Sequence, residues 1–457
     1  MNRIAYSTDP FINILSSKSL TFKQLQADYL LVYTLAAVGN NLQGPYRYAI
    51  LHSYNLQRST IEGLYLCAHL STLCLGTVIS SLSDVSGRRL ACILSSVFYT
   101  IHCLSLNFNI LSVLVLGSIF RGMAHSLYNT NFESWLLQEH HDNDLDTDSL
   151  KHLLRNAFVC ATSSAVAAGI VAQLSAKFLG YAAPFDLAVG VYLMMIALTM
   201  WRWKENYGDR GARVISSFVS AFDVLRTDAR VVLVGLVTSF FEATIYIFSI
   251  EWTPSIQNAK VWTISDSLPL GFMFSAFMTF NMMGAFTFKA LSKRYNVHTY
   301  LLAIIMVAMI AVAIVAMFSN IQSLVIFGIF LFEYCVGIYE PSISLLRNQY
   351  LPDSVRSTLM NYFRVPRFIF MFSIIIWHFP LSVIFTLCVL MLLLAGVSLL
   401  ILRNMKQREE NQRESERMVL LPIAPSMNVK TTLLPASNRM TNGINYKHIS
   451  IQGANPE

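Results

Sequence analysis

Twelve apolar runs make up most of this sequence, and each has roughly the 20 residues that an α-helix needs to cross a bilayer. Of the 457 residues, 54% are hydrophobic and 13% are charged, whereas soluble proteins carry roughly 25% charged residues. This composition excludes an ordinary soluble domain and predicts an all-α polytopic membrane protein. The predicted transmembrane helices cover 28–52, 59–82, 89–108, 110–138, 150–178, 183–201, 230–254, 267–291, 297–319, 321–346, 355–378 and 380–402.

The spacing of these runs divides the chain into two six-helix halves. The longest polar interval inside the apolar region, 202–230, separates the sixth run from the seventh. A weak sequence similarity between Phe132-Glu133-Ser134 and Tyr339-Glu340-Pro341 indicates that the halves are related by duplication. We predict a pseudo-symmetric fold with an N-terminal segment (1–27), two membrane halves (28–201 and 230–402), a basic central loop (202–229) and a disordered tail (403–457).

The net charge of +7 comes from basic residues at the ends of the apolar runs, not from one basic soluble surface. A nucleic-acid partner is therefore not predicted. Basic intervals at Arg88 and Arg89, in the central loop, after the eighth run and after the last run alternate with nearly uncharged ones. The positive-inside rule predicts that both termini, the central loop and the tail are cytoplasmic. We expect the plasma membrane rather than the endolysosomal membrane.

Metal, redox and sorting signals are weak in this sequence. The seven cysteines lie in or beside apolar runs with no C-x-x-C pair, so neither a zinc site nor a disulfide framework is predicted. The loop 140–148 (HHDNDLDTD) fits a solvated loop, and a metal site is the alternative. Glu416, Leu420 and Leu421 resemble an acidic dileucine signal that would recruit sorting adaptors. No cofactor is predicted.

Polar residues inside the predicted helices are the candidates for a substrate site. An ionised side chain at mid-membrane costs roughly 2.5–3.5 kcal/mol, so it needs a partner, a hydrated cavity or a function. Pro45 interrupts the first helix, which fits either a cavity lining or a packing kink with Arg47 near the outer surface. The predicted substrate-binding residues are Asn41, Tyr46, Arg47, Arg121, Asn129, Glu133, Glu242, Glu340, Asn361 and Arg364.

The polar loop between the second and third runs, 80–89 (SSLSDVSGRR), carries a further motif. Asp84, Gly87, Arg88 and Arg89 resemble the G-x-x-x-D-x-x-G-R-K/R loop of the major facilitator superfamily, with Ser80 at the first glycine position. Gly87 permits a tight turn, and Asp84 can pair with basic residues when one set of helix ends is closed. The motif fits a gating loop, and a positive-inside anchor is the alternative.

Longer stretches resemble one branch of that superfamily, the molybdate-anion transporter family. They run in family order over about 40–370 and include Leu42-Gln43-Gly44-Pro45-Tyr46, Asn131-Phe132-Glu133-Ser134-Trp135, Glu205-Asn206-Tyr207-Gly208-Asp209 and Asn361-Tyr362-Phe363-Arg364-Val365-Pro366. The resemblance implies a twelve-helix oxyanion transporter with Glu133, Glu242, Asn361 and Arg364 in its cavity. Three positions depart from the family: Ser118 replaces an Arg that Arg121 follows by one turn, Ala49 replaces a Lys, and Glu340 replaces an aromatic residue.

Three functions fit these features. The first is a secondary transporter of a small oxyanion such as molybdate, in which Arg364 and Arg121 hold the anion and Glu133 or Glu242 takes up a coupling proton. The second is a porter of an organic solute such as a sugar, a nucleoside or a drug. The third is a transporter-like sensor or scaffold that recruits partners through its tail. An enzyme is not predicted, since no nucleophile elbow, H-E-x-x-H, P-loop or redox motif occurs.

Overall fold

The computed structural model describes residues 10–207, 214–259, 268–352 and 355–420, and the fourteen regular elements found in them are all α-helices. They are α1 (Pro10–Gln43), α2 (Arg47–Ser53), α3 (Arg58–Ser86), α4 (Arg88–Ser105), α5 (Leu111–Asp142), α6 (Thr147–Leu179), α7 (Ala183–Arg202), α8 (Val214–Thr227), α9 (Ala229–Asn258), α10 (Leu270–Arg294), α11 (Val297–Met317), α12 (Gln322–Tyr350), α13 (Arg356–Ile376) and α14 (Leu381–Leu420).

The first predicted span is two helices, α1 and α2, and the other eleven predicted spans correspond to one helix each. Between α1 and α2, the Gly44 N–H donates to the Asn41 carbonyl at 3.2 Å. Pro45 follows and has no N–H with which to continue the helical ladder. The break therefore results from the Gly-Pro pair.

Helices also occur in segments that the sequence analysis placed outside the spans. α8 occupies half of the predicted central loop, and α1 begins at Pro10 rather than near residue 28. The prediction of a disordered tail from residue 403 is wrong for its first part, because α14 continues to Leu420. Residues 403–420 are rich in Glu, Gln, Arg and Lys, which favour helix even where no apolar face reveals it.

The connections between the helices fall on two sides, because successive long helices alternate in direction. We call the side of the α3–α4 connection the Gly87 side and the side of the α6–α7 connection the Gly180 side. Among the described residues, ten helices are individually long and apolar enough to cross a membrane. α1 and α4 are less apolar, since Asn40 and Asn41 end one and Arg88 and Arg89 begin the other.

Each half has its own packing, and the halves meet at a few helix pairs. In the N-terminal half α3 and α4 pack on α5, and α1 packs on α6 and α7; in the C-terminal half α10 and α11 pack on α12, and α9 packs on α13. The halves meet where α6 packs on α10, α3 on α13 and α2 on α9. A Cβ added to Gly271 would lie 2.5 Å from the Gly169 carbonyl oxygen, so the backbones of α6 and α10 touch near the Gly180 side.

We expect Gly271→Val to separate the two halves on the Gly180 side, because the branched side chain has no room against the backbone of α6. Spin labels on the exposed positions Phe108 and Asn320, one in each half, report this separation as a longer distance. Gly190→Val is the matched control, since a Cβ there meets nothing within 4 Å. Equal distances in the two variants would contradict the expectation.

Candidate substrate-binding site

A cavity of about 320 Å³ lies between the two halves. α3 and α5 form its wall on the N-terminal half, and α9, α12 and α13 form its wall on the C-terminal half. Its polar and charged lining residues are Thr72, His125, Ser126, Asn129, Thr130, Glu242, Tyr246, Tyr339, Glu340, Arg347, Arg364 and Arg367. The cavity therefore brings together Asn129, Glu242, Glu340 and Arg364 of the predicted site residues.

Glu242 is held between two arginines from other helices. Its carboxylate oxygens lie 2.5 Å from an Nη2 of Arg347 on α12 and 2.6 Å from an Nη1 of Arg367 on α13. All three side chains are mostly buried, with 21% of Glu242, 16% of Arg347 and 8% of Arg367 exposed. The Arg367 guanidinium also lies 4.3 Å from the ring centroid of Tyr246. One carboxylate thus faces two guanidinium groups, which leaves the cluster with a net positive charge.

Arg364 has a different environment on the same wall. Its Nη1 donates to the Asn361 side-chain oxygen at 3.2 Å, one turn earlier on α13. In the described part of the chain no carboxylate forms an ion pair with Arg364. Asn361 orients the guanidinium from behind and does not itself line the cavity. Among the described residues, no carboxylate neutralises the charge of Arg364, so this guanidinium group is available to bind a ligand.

The wall of the N-terminal half offers uncharged polar groups. The Asn129 amide nitrogen lies 3.0 Å from the His125 Nε2, and the His125 Nδ1 lies 3.3 Å from the Tyr99 hydroxyl. The sequence patterns do not single out His125, although its position one turn before Asn129 on α5 is a signal for it. Among the described lining residues, this wall provides hydrogen-bonding groups and no carboxylate.

Arg47 and Arg121 lie close together in the interior of the N-terminal half. Arg47 is 4% exposed, and its guanidinium lies 4.0 Å from the ring centroid of Tyr65. The two arginines interact electrostatically with each other and with His69, whose ring meets that of Tyr246 on α9 at 5.0 Å. Neither arginine forms an ion pair with a carboxylate of the described ranges. The Arg47 side chain, which one of the two interpretations of the Pro45 kink places near the outer surface, is buried on α2 and does not line the cavity.

Three other predicted residues lie outside the cavity lining. The Tyr46 hydroxyl donates to the Gln173 side-chain oxygen at 2.7 Å, and that oxygen also accepts from the Gly271 N–H at 2.9 Å. Tyr46 therefore joins the halves on the Gly180 side. Asn41 lies in the last turn of α1, and Glu133 is exposed one turn from Asn129 toward the Gly87 side.

The predicted gating loop is attached to its own half. The Glu205 carboxylate accepts the backbone N–H groups of Arg89 and Leu90 at 2.8 and 3.1 Å, and so caps the start of α4. The Arg88 guanidinium donates to the Ser134 carbonyl at 3.0 Å. Gly87 has a φ of +117°, which favours glycine. The structure describes the backbone of Asp84 but not its side chain.

The structure forms no metal site among the described residues of the 140–148 loop, and it does not describe the complete sorting motif. His140 Nε2 lies 2.9 Å from the Asp146 carbonyl oxygen, and no group of three or more metal-binding side chains occurs among the described residues. Of the sorting residues, Leu421 lies outside the described ranges. For Glu416 and Leu420 only the helical backbone is described. The sorting signal stays a prediction.

Comparison with known proteins identifies the family. Residues 13–339 match the model of a family described as sugar transporters with 12 transmembrane segments. Molybdate-anion transporters of Xenopus tropicalis and Takifugu rubripes are 31% and 30% identical to this chain over 361 and 382 residues. Each match covers 76% of this chain and 77% of the relative. The chain belongs to the molybdate-anion transporter family of the major facilitator superfamily.

The solved structures agree with this fold. A mutant form of the nucleoside transporter NupG covers 84% of this chain with a TM-score of 0.66, while 99% of NupG is covered. At 10% identity this likeness concerns the fold alone. The predicted twelve-helix fold in two halves and the predicted family are therefore confirmed. The chain is an integral, multi-pass membrane transporter.

Proposed function

We propose that this protein is a secondary active transporter of a small oxyanion, with molybdate as the first substrate to test. The observation that carries the proposal is the charge of the cavity and its surroundings. Arg347, Arg364 and Arg367 line the cavity against two carboxylates, Glu242 and Glu340. Two further arginines, at positions 47 and 121, lie behind the wall of the N-terminal half. A tetrahedral dianion needs this excess of guanidinium groups in a water-poor site.

In this proposal each predicted residue has a role that follows from its contacts. Arg364 binds the anion from α13, and Asn361 fixes its orientation. Asn129 donates a hydrogen bond from α5, while Arg47 and Arg121 supply the positive potential of the N-terminal half. Glu242 keeps Arg347 and Arg367 in place. The relatives' name, molybdate-anion transporter, supports an anion but leaves open which anion this chain carries.

Transport would proceed by alternating access between the two sides. Tyr46, Gln173 and Gly271 connect the halves on the Gly180 side, whereas the contacts of Arg88 and Arg89 described above lie within their own half on the Gly87 side. These contacts support a structure closed on the Gly180 side. Positive-inside orientation makes the Gly87 side cytoplasmic. Both termini would then be cytoplasmic, and we retain the plasma membrane as the proposed location.

The experiment that tests the function is radiolabelled molybdate uptake into proteoliposomes, with excess unlabelled competitors outside. We expect saturable uptake that tungstate and sulfate reduce and that sugars and nucleosides leave unchanged, because only the oxyanions carry the charge that the arginines need. Protein-free liposomes are the control. An organic-solute porter is the second candidate, favoured by the ring-bearing lining residues Tyr246, Tyr339 and Phe368. Competition by an organic solute without competition by tungstate would favour it instead.

A further inference from the structure

A second charged cluster, Arg58–Glu62–Glu251, lies between the halves on the Gly180 side. Arg58 begins α3, and its Nε lies 2.6 Å from the Glu62 carboxylate one turn later. The Arg58 Nη2 donates at 2.9 Å to Glu251 on α9 in the other half. Both carboxylates are 4% exposed, and the Arg58 side chain is 28% exposed. One guanidinium group therefore joins two buried carboxylates that belong to different halves.

The charge balance of this cluster is the reverse of that at Glu242. There, one carboxylate faces two guanidinium groups. Here, among the residues that the structure describes, two carboxylates share one guanidinium group, which leaves one negative charge unpaired when both are ionised. Burying such a charge is expensive, and two carboxylates in one site do not readily ionise together.

The other titratable groups that the structure describes around the cluster do not supply a further positive charge from the interior. Tyr48 on α2, Tyr65 on α3 and Cys388 on α14 interact electrostatically with Glu251. The His378 Nδ1, in the α13–α14 connection, lies 3.9 Å from Glu62, but 57% of its side chain is exposed. His378 is thus a solvated group beside the cluster rather than part of its buried interior.

We propose that Glu62 and Glu251 together form a proton-binding site that links proton binding to closure of the Gly180 side. When the halves are in contact, the bound proton removes the unpaired charge. When they separate, water reaches both carboxylates and the proton is held less tightly. Ligands shift an equilibrium toward the state that binds them better, so protons favour the closed Gly180 side. This inference goes beyond oxyanion transport and holds for any solute.

The experiment uses the full-length protein without substrate, labelled at Phe108→Cys and Asn320→Cys in a background without native cysteines. We expect acidification from pH 8 to pH 5 to shift the spin-label distances from the long to the short population. For one linked proton, the ratio of the populations changes by up to about tenfold per pH unit. Glu251→Gln and Glu62→Gln each remove the unpaired charge, so both should keep the short distance at every pH.

Glu333→Gln is the matched control, because Glu333 accepts a hydrogen bond from Asn281 at 3.2 Å within one half. It should retain the pH response of the parent protein. A pH response unchanged in Glu251→Gln and Glu62→Gln would overturn the proposal, as would a parent protein whose spin-label distances do not change with pH.

Infrared difference spectra of the parent protein between pH 5 and pH 8 give a second readout that does not depend on either variant folding. Absence of a protonated carboxyl band would also contradict the proposal, whereas a failure to transport molybdate would leave it intact.

Discussion

Replacing Arg364 by alanine should reduce molybdate uptake at least tenfold while the protein stays folded. Arg364 lines the cavity without a carboxylate partner in the described ranges, so its charge is available to the anion. Hydrogen bonds to charged groups are worth about 1.5–3 kcal/mol, and each 1.4 kcal/mol corresponds to about tenfold in binding. Initial uptake rates into proteoliposomes, over a range of molybdate concentrations, measure the effect.

Two further variants separate charge from geometry at Arg364. Arg364→Lys keeps the charge but loses the planar pair of N–H donors, so we expect an intermediate uptake with a raised KM. Lys293→Ala removes one positive charge at an exposed position on α10 and should leave uptake unchanged. Wild-type uptake by Arg364→Ala would exclude this residue as the anion ligand. An equal loss of uptake in Lys293→Ala would indicate that the overall charge of the protein, and not Arg364 itself, determines uptake.

Replacing Glu242 by glutamine should destabilise the protein by about 3–5 kcal/mol, because it leaves the buried Arg347 and Arg367 without their counter-charge. Glutamine has nearly the same size, so the loss reports charge rather than packing. Thermal unfolding of the purified protein in detergent, followed by tryptophan fluorescence, measures it. We also expect molybdate to stabilise Glu242→Gln more than the parent protein, since an anion can replace the missing carboxylate.

The double variant Glu242→Gln/Arg347→Gln tests whether charge is the cause. Removing one of the two uncompensated arginines should recover part of the lost stability, so the two changes should be non-additive by about 1 kcal/mol or more. Glu340→Gln changes a carboxylate of the same cavity that forms no ion pair in the described part of the chain, and it should cost less. A cost at Glu340 equal to that at Glu242 would argue against a special role for the paired arginines.

The sequence by itself determined the fold of this protein. Apolar runs of bilayer length predicted the twelve-helix transmembrane fold, since a helix in lipid must satisfy its own backbone and present apolar side chains. The Gly44-Pro45 pair marked the interruption of the first span. The family motifs brought Arg364 and Glu242 into the candidate site, and the polar position inside the fourth span brought in Asn129. The apolar runs and the Gly44-Pro45 pair are local signals, so one sequence is enough to detect them.

Only the tertiary structure decided which charges meet. Glu242, Arg347 and Arg367 lie on three different helices, and helical periodicity gives the face of each residue but not the helix that packs against it. The same reason explains why Tyr46 joins the halves instead of lining the cavity. Glu62 and Glu251 share Arg58 across the interface for the same reason. The packing of helices that are distant in sequence sets the number of charges in each cluster.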